Sequence, residues 1–435
     1  MSADGKTGFH KILSVFMDYF GMGLMASIVS MIIVGLVIIF ACFWFFHSAP
    51  PKTITITTGE KGSAYYSVAE KYATILARDG VKLIILPSAG SVENLQRLTD
   101  PVFKVDIGFV QAGLAKGQNI EKLVSLGSVS YQPLLVFHRL PQRVEVLSQL
   151  AGKRIAVGRQ GSGTRKLALT LLAVNGIEPG GAATLVELEG EEAAATLIAG
   201  KADAIFLMAD SASSQTMRSL LTAPGIGLVN FTQADAYVRR IGYLNKLTMP
   251  KGAMEFGKNI PAGDVTLVCP TVELIARDNL HPALSDLLLA AAVEIHGRAA
   301  LFQNRGDFPA ALENEFKISN DAKRFYKSGK SFFYRYLPFW LASLINRILV
   351  VFVPLIIILI PGLKSIPALF RWRMSLRINR WYRRMLLVEH DAMTQHLPEK
   401  LAQLAERIDE IESEVNTMKV PASYGEQFYV LRTHI

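Results

Sequence analysis

Two long apolar runs constrain the fold of this sequence more than any other feature. The first runs from Leu24 to Phe46 without a charge, and the second runs from Leu337 to Leu363. A helix of roughly 20 apolar residues crosses a bilayer, so each run is long enough to span. We predict transmembrane helices over 24–47 and 337–363. The alternatives are a cleaved signal peptide, whose apolar core is shorter, and a buried core helix.

Basic residues indicate how the spans are oriented. Six arginines and no acid follow the second run: Arg371, Arg373, Arg377, Arg380, Arg383 and Arg384. The N-terminal segment 1–23 carries Lys6 and Lys11. Because such blocks stay on the cytoplasmic side, we expect both termini inside and residues 48–336 outside the cytoplasm.

The arginine block also accounts for much of the formal net charge of +9. Apolar and aromatic residues alternate with these arginines over 364–396, which is typical of a juxtamembrane helix lying on anionic membrane lipid. Nucleic-acid binding would place this pattern on a folded module, and none is evident, so we expect no nucleic-acid partner.

The segment between the spans has an α/β pattern. Helical stretches fall near 64–78, 92–98, 164–175 and 191–199, and they alternate with short apolar runs. This alternation predicts βαβ units and mostly parallel sheets. Its size favours two lobes, one over about 52–135 and 265–325 and the other over about 136–264. The predicted strands are Thr53–Thr58, Lys82–Pro87, Val105–Gln111, Leu134–His138, Arg154–Val157, Ala202–Leu207 and Val265–Cys269.

Three loops combine glycines and hydroxyls between a predicted strand and a predicted helix. They begin at Gly59, Ser88 and Gly161. Glycines allow close backbone approach, and free N–H groups at a helix N-terminus attract an anion. Three such loops in one cleft predict a pocket for a carboxylate. The alternative is simple helix capping by serine and threonine.

Catalytic signatures are missing from the sequence. It holds no H-E-x-x-H, G-x-S-x-G or Walker A motif, so we expect no enzyme, cofactor or metal site. His281 and His296 lack ligand partners at metal-binding spacing and are interpreted as surface or core residues. Asp203 and Asp210 lie near a predicted strand end. Three roles stay open for them: ligand contact, helix capping and ion pairing. Cys42 lies in an apolar run, so no disulfide with Cys269 is expected.

Several motifs, in order, resemble the TAXI family of TRAP-transporter solute receptors, in particular its membrane-anchored members. The resemblance covers nearly all of the chain from Thr53 to the second span. The motifs are TTGEKGSAYY, PSAGSVENLQRL, DIGFVQA, GRQGSGTR, GKADAIF, NIPAGDVTLV, HPALSDLLLAAAVEIHG, GDFP and LPFWLASLINR.

The resemblance implies a type II periplasmic-binding-protein fold in a bacterial inner membrane, with two lobes closing on a small carboxylate or amino acid. With only two spans, such a receptor needs TRAP membrane subunits as partners. Glu60 and Lys61 depart from the family's small, glycine-rich first loop, which puts the ligand preference in doubt. The binding residues implied by the resemblance are Gly62, Ser63, Tyr65, Tyr66, Ser88, Gly90, Ser91, Asn94, Gln111, Ser162, Gly163 and Thr164.

The C-terminal tail has a heptad pattern. Apolar residues recur at spacings of four and three from Leu397 to Met418, which predicts a coiled coil over 397–420 and a possible homodimer, with a tail at 421–435. The alternative is an amphipathic helix packed on its own chain. A delivery protein does not need this tail, so a transmembrane ligand sensor is the second functional hypothesis, and an enzyme on this fold is a weaker third.

Overall fold

The computed structural model describes residues 24–312, 314–394, 398–418, 420 and 425–435. It divides into two compact units, one formed by residues 50–343 and the other by the segments on either side of them. Its strands are β1 Thr53–Thr57, β2 Lys82–Leu86, β3 Ile107–Gln111, β4 Leu123–Tyr131, β5 Leu135–His138, β6 Arg154–Ala156, β7 Thr184–Val186, β8 Ala204–Leu207, β9 Gly227–Leu228, β10 Leu244–Met249 and β11 Val265–Arg277.

The helices of the 50–343 unit pack on both faces of its sheets. They are α2 Ala64–Arg78, α3 Ser91–Thr99, α4 Gly163–Val174, α5 Gly190–Ile198, α6 Ser214–Thr222, α7 Ala234–Arg240, α8 Pro282–His296, α9 Asn320–Ser328 and α10 Phe332–Tyr336. The other helices are α1 Leu24–His47, α11 Phe339–Thr394, α12 Pro398–Asn416 and α13 Gly425–His434.

Six of the seven predicted strands and the four predicted helices of this unit are confirmed within a few residues, while the seventh strand, predicted over Val265–Cys269, extends to Arg277. The prediction of mostly parallel sheets is wrong, since both sheets are mixed. The first has the order β10-β11-β3-β1-β2, with β4 also on β11, and the second has the order β7-β6-β8-β5-β9. Parallel pairing is confined to β1 with β2 and β3 and to β6 with β7 and β8, while β11, β4, β5, β9 and β10 pair antiparallel.

The antiparallel strands arise because the chain crosses between the lobes. Strand β11 is one continuous strand, whereas the sequence predicted only its first part. Its first residues pack with the second lobe's core, and its later residues pair with β3 and β4 of the first lobe. The other crossing connects β4 to β5, where the Gln132 N–H donates to Pro270 O at 3.0 Å. These two adjacent crossings lie side by side between the lobes, in the position that a hinge takes in two-lobe folds.

Each lobe has its own core. In the first lobe the largest fully buried side chains include Tyr72 and Phe109, whose ring centroids lie 6.0 Å apart. His296 packs against the Tyr72 ring at 5.8 Å, and burial lowers its pKa to about 4, so this histidine belongs to the core as predicted. The second lobe buries apolar residues on both faces of its sheet, including Phe206 and Phe137.

Two helices are long and apolar enough to cross a membrane, over Ser27–His47 and Phe339–Gly362. They contact one another near one end, where the Phe45 ring lies 6.0 Å from the Phe352 ring and 5.0 Å from the Arg347 guanidinium. Most other large side chains of α1 point outward, among them Leu36 and Phe40 at 60% and 62% exposure. An apolar helix that exposes its large side chains has the character of a lipid-facing span.

The arginine block is not a separate helix. Helix α11 continues from the apolar run through all six arginines to Thr394. At 1.5 Å per residue, its 56 residues extend for about 84 Å, well beyond a bilayer core of about 30 Å. For residues 364–394 to lie flat on the membrane surface, α11 would have to break after the apolar run. The structure shows one unbroken helix from Phe339 to Thr394.

The heptad seam of the tail packs on its own chain, as the alternative prediction expected. Leu404, Ile411 and Val415 of α12 are buried against Met374 and Val388 of α11. Arg384 on α11 also pairs with Glu414 on α12 at 3.0 Å. Leu397 lies outside the described residues, and so do residues 421–424 of the predicted 421–435 tail.

Candidate functional site

The three glycine-rich loops predicted to share a cleft do meet between the lobes. The Glu93 N–H of the first lobe donates to Gly161 O of the second at 3.0 Å. Gln111 Nε2, at the end of β3, donates to Gly163 O at 3.1 Å. Gln111 and the Gly161 loop therefore lie on facing sides of the boundary between the lobes.

Asp210 occupies the helix N-termini at the centre of this cleft. Its carboxylate accepts the Gly163 N–H at 2.7 Å, the Thr164 hydroxyl at 2.7 Å and the Thr164 N–H at 3.4 Å. It also accepts the Ser91 N–H from the other lobe. The side chain is fully buried, and burial raises its pKa against the lowering effect of these hydrogen bonds.

This arrangement corrects the expected role of the loops. The N–H groups that we predicted for a ligand carboxylate already hold a carboxylate of the protein. Of the two aspartates left open by the sequence, Asp210 therefore caps helices. Asp203 pairs with Arg154 at 2.9 Å, so its role is the ion pairing that the sequence left open.

Two of the predicted binding residues are engaged inside the first lobe. Asn94 accepts the hydroxyls of Thr57 at 2.6 Å and Ser88 at 2.7 Å, and its amide donates to Phe109 O at 2.8 Å and to Thr58 O. All the polar atoms of the buried Asn94 side chain are thus satisfied, and this network stabilises the turns after β1 and β2.

Tyr65 lies at the base of the cleft, beside the hinge. Its hydroxyl donates to Gln132 Oε1 and lies 3.5 Å from Ser91 Oγ, and its ring packs on Phe109 at 5.4 Å. Burial, followed by the charge of Asp210, raises the pKa of Tyr65 well above its usual value. Sequence reasoning missed Gln132, because a lone glutamine between two strands carries no recognisable pattern.

The remaining predicted residues begin helices. Ser63 and Ser162 cap α2 and α4 through hydrogen bonds from the N–H groups of Tyr66 and Arg165. Tyr66 is half-buried, and Gly62, with a φ of +89°, is exposed. Gly62, Ser63 and Tyr66 therefore shape the first loop, and no contact carries them across the cleft in the described part of the chain.

A charged network lies between the lobes beside the first loop. Arg159 of the second lobe contacts Glu60 of the first at 3.0 Å and Glu192 of its own lobe at 3.0 Å. Glu189 is 3% exposed, accepts the Arg159 N–H at 3.3 Å and interacts with the Glu60 carboxyl. Burial above all, together with the charges of Glu60 and Asp210, raises the pKa of Glu189 to about 8 against the lowering effect of the Arg159 N–H. Sequence reasoning noted Glu60 and missed Arg159 and Glu189.

Three buried polar atoms around this cleft have no hydrogen-bond partner among the described residues: Gln111 Oε1, Gln132 Nε2 and Glu189 Oε1. Buried polar groups are nearly always paired, and each unpaired one costs about 1–3 kcal/mol. One comes from each lobe and one from the hinge. No group of three or more metal-binding side chains occurs within the residues that the structure describes.

A family model described as the NMT1-like family matches residues 56–268 of the chain. No curated protein matches the sequence. Among solved structures, one similar to this chain is a protein of Bordetella bronchiseptica RB50, with 19% identity, a TM-score of 0.38, and coverage of 55% of this chain and 71% of that one.

Two other similar structures are described by their ligands. An ancestral arginine-binding protein has 13% identity and a TM-score of 0.36, with coverage of 56% of this chain and 92% of that one. The periplasmic aliphatic sulphonate binding protein SsuA from Escherichia coli has 16% identity and a TM-score of 0.36, with coverage of 57% and 73%. At this level of similarity, neither assigns a ligand to this chain.

Proposed function

We propose that this chain is a solute receptor anchored in a bacterial inner membrane, whose two lobes close on a small polar solute in the periplasm. The observation that carries the proposal is the set of unpaired buried atoms, Gln111 Oε1, Gln132 Nε2 and Glu189 Oε1, around one interlobe cleft. A bound solute would pair them, and the two-strand hinge allows the lobes to open and admit it.

The resemblance to TAXI receptors supports the same function and a TRAP-type uptake system as the destination of the solute. Two spans are too few for a transport path, so delivery requires separate membrane subunits. The carboxylate ligand implied by the resemblance has less support, because Asp210 takes the N–H groups that such a ligand would use.

The proposed orientation predicts opposite reagent access for two engineered cysteines. Lys201→Cys on the second lobe should react with a membrane-impermeant maleimide in spheroplasts, while Arg380→Cys should react only after permeabilisation. Both positions are exposed. Cys42 is exposed on α1, so it is replaced by alanine in both variants, and Cys269 is buried and stays. Labelling of Arg380→Cys in intact spheroplasts would contradict this orientation.

A second function, transmembrane sensing, is favoured by the tail. Helices α11, α12 and α13 bury a shared apolar core and enclose a cavity of about 650 Å³ beside Leu404 and His434. A homodimer through 397–418 would require this packing to open. Ending the chain after Thr394 should leave solute uptake intact if delivery is the whole function. Intact uptake with loss of a solute-dependent transcriptional response would instead establish sensing.

A further inference from the structure

Two of the three unpaired buried atoms around the interlobe cleft are oxygens, which accept hydrogen bonds, and the third, Gln132 Nε2, is a donor. Gln111 is 1% exposed, and its Nε2 donates to Gly163 O, so its unpaired atom is the oxygen. The carbonyl of Gly163 can only accept, which fixes this orientation of the amide. Glu189 Oε1 is also unpaired. Gln111 Oε1 calls for a donor from a ligand, and so does Glu189 Oε1 when Glu189 is ionised.

Gln111 and Asp210 converge on the same point of the second lobe. A side-chain carbon on Gly163 would lie 2.3 Å from Gln111 Oε1 and 2.9 Å from Asp210 Oδ2. Ser211, the residue after Asp210, in turn accepts or donates a hydrogen bond with Thr164 at 2.8 Å, and its carbonyl lies beside Gly190, which follows Glu189. The unpaired acceptors and the buried carboxylates thus border one region.

This region is rich in acidic side chains. Glu189 lies close enough to Glu60 and Asp210 for both carboxylates to raise its pKa. The nearest basic group, Arg159, has a 45% exposed side chain that is divided between Glu60 and Glu192. A ligand carboxylate would bring a further negative charge into this buried region and would find its N–H donors occupied. A cationic nitrogen would neutralise it and donate to both unpaired oxygens.

We infer that the cleft selects a small solute with an ammonium or guanidinium group, bound by Gln111 Oε1 and Glu189 beside Asp210. The inference rests on the receptor function proposed above. Of its two determinants, the resemblance to TAXI receptors implies Gln111 and does not imply Glu189.

The pH dependence of binding follows from Glu189. Its side chain faces Glu60 from the first loop, Asp210 after β8 and the main chain of Arg159, whose guanidinium lies between Glu60 and Glu192. Below about pH 8, Glu189 holds a proton that a bound cation must displace. Affinity for a cation should therefore rise by up to about tenfold per pH unit between pH 6 and 8, and then level off.

The test is calorimetric titration of the purified full-length protein with three cations, L-arginine, L-lysine and putrescine. Succinate and glucose are titrated as well, to represent carboxylates and sugars. We expect at least one cation to bind, and Glu189→Gln to weaken it at least tenfold and to flatten its pH dependence. Glu178→Gln, on the exposed surface of the same lobe, is the matched control and should bind as the unchanged protein does.

Each other outcome overturns the inference. Binding of succinate or glucose without any cation would leave the receptor function standing and reject the cationic ligand. Cation binding that Glu189→Gln leaves unchanged would reject the site. If no probe gave a heat of binding, the cationic ligand class would be rejected. The receptor function would then be decided by a separate measurement, the closure of the lobes.

Discussion

Replacing Gly90 by alanine is expected to lower solute affinity by roughly 100-fold, because it prevents the lobes from closing. Gly90 has a φ of +128°, and a side-chain carbon there would lie 2.7 Å from Asp210 Oδ2 and 3.2 Å from Ser162 Cα. The second contact is with backbone of the opposite lobe and cannot be relieved by a rotamer change. A binding-competent state populated at one part in 100 raises the apparent dissociation constant by that factor.

The control for this prediction is Gly80→Ala. Gly80 also has a positive φ, +74°, but a side-chain carbon there would meet nothing within 4 Å. The backbone cost of alanine is about 1–2 kcal/mol in the left-handed region of Gly80 and higher at Gly90, whose ψ of −157° places it in a region that glycine alone adopts readily, so the unfolding midpoint of each variant is measured beside its affinity. Calorimetric titration measures both affinities. Equal affinities for the two variants would show that the bound state does not use the closed arrangement.

Replacing Phe109 by alanine is expected to destabilise the 50–343 unit by about 3–5 kcal/mol. Phe109 is 1% exposed, and its ring packs between Tyr65 at 5.4 Å and Tyr72 at 6.0 Å. Removing it leaves a cavity beneath the cleft that the sheet cannot fill, because β3 pairs on both sides with β1 and β11.

Phe256→Ala is the matched control, since Phe256 is 90% exposed and should change stability by less than about 0.5 kcal/mol. Pulse proteolysis of the full chain in guanidinium chloride suits this comparison. The four tryptophans lie at positions 44, 340, 372 and 381, on α1 and α11, so tryptophan fluorescence would not report on the lobes. Similar midpoints for the two variants would exclude Phe109 as a core residue.

Local sequence patterns predicted the elements of this fold well. The strand Thr53–Thr57 and the helix Ala64–Arg78 are set by short-range periodicity and by the Ser63 cap, and both were predicted to within a residue. The extent of β11 was missed, since its second half pairs with β3 and β4, far away in the chain. Pairing partners decide such a strand, and one sequence does not contain them.

The candidate site was predicted in its location and only partly in its chemistry. Glycine and hydroxyl patterns indicated the loops, because tight turns and helix caps require those residue types. That Asp210 would fill the helix N-termini depends on a contact 46 residues from Thr164 and more than 100 residues from Ser91. Arg159 and Glu189 likewise become candidate site residues only through their interactions with Glu60 of the other lobe.

The most direct measurement of the central claim is disulfide trapping across the cleft in the full chain carrying Ala89→Cys and Gly161→Cys. A side-chain carbon on Gly161 would lie 3.1 Å from Ala89 Cβ, near the 3.5–4.5 Å that is typical between the Cβ atoms of a disulfide. The account predicts that this bond forms under mild oxidation and that at least one of L-arginine, L-lysine, putrescine, succinate and glucose accelerates it several-fold. A bond that forms at a rate that none of these solutes changes would contradict a receptor that closes on its ligand.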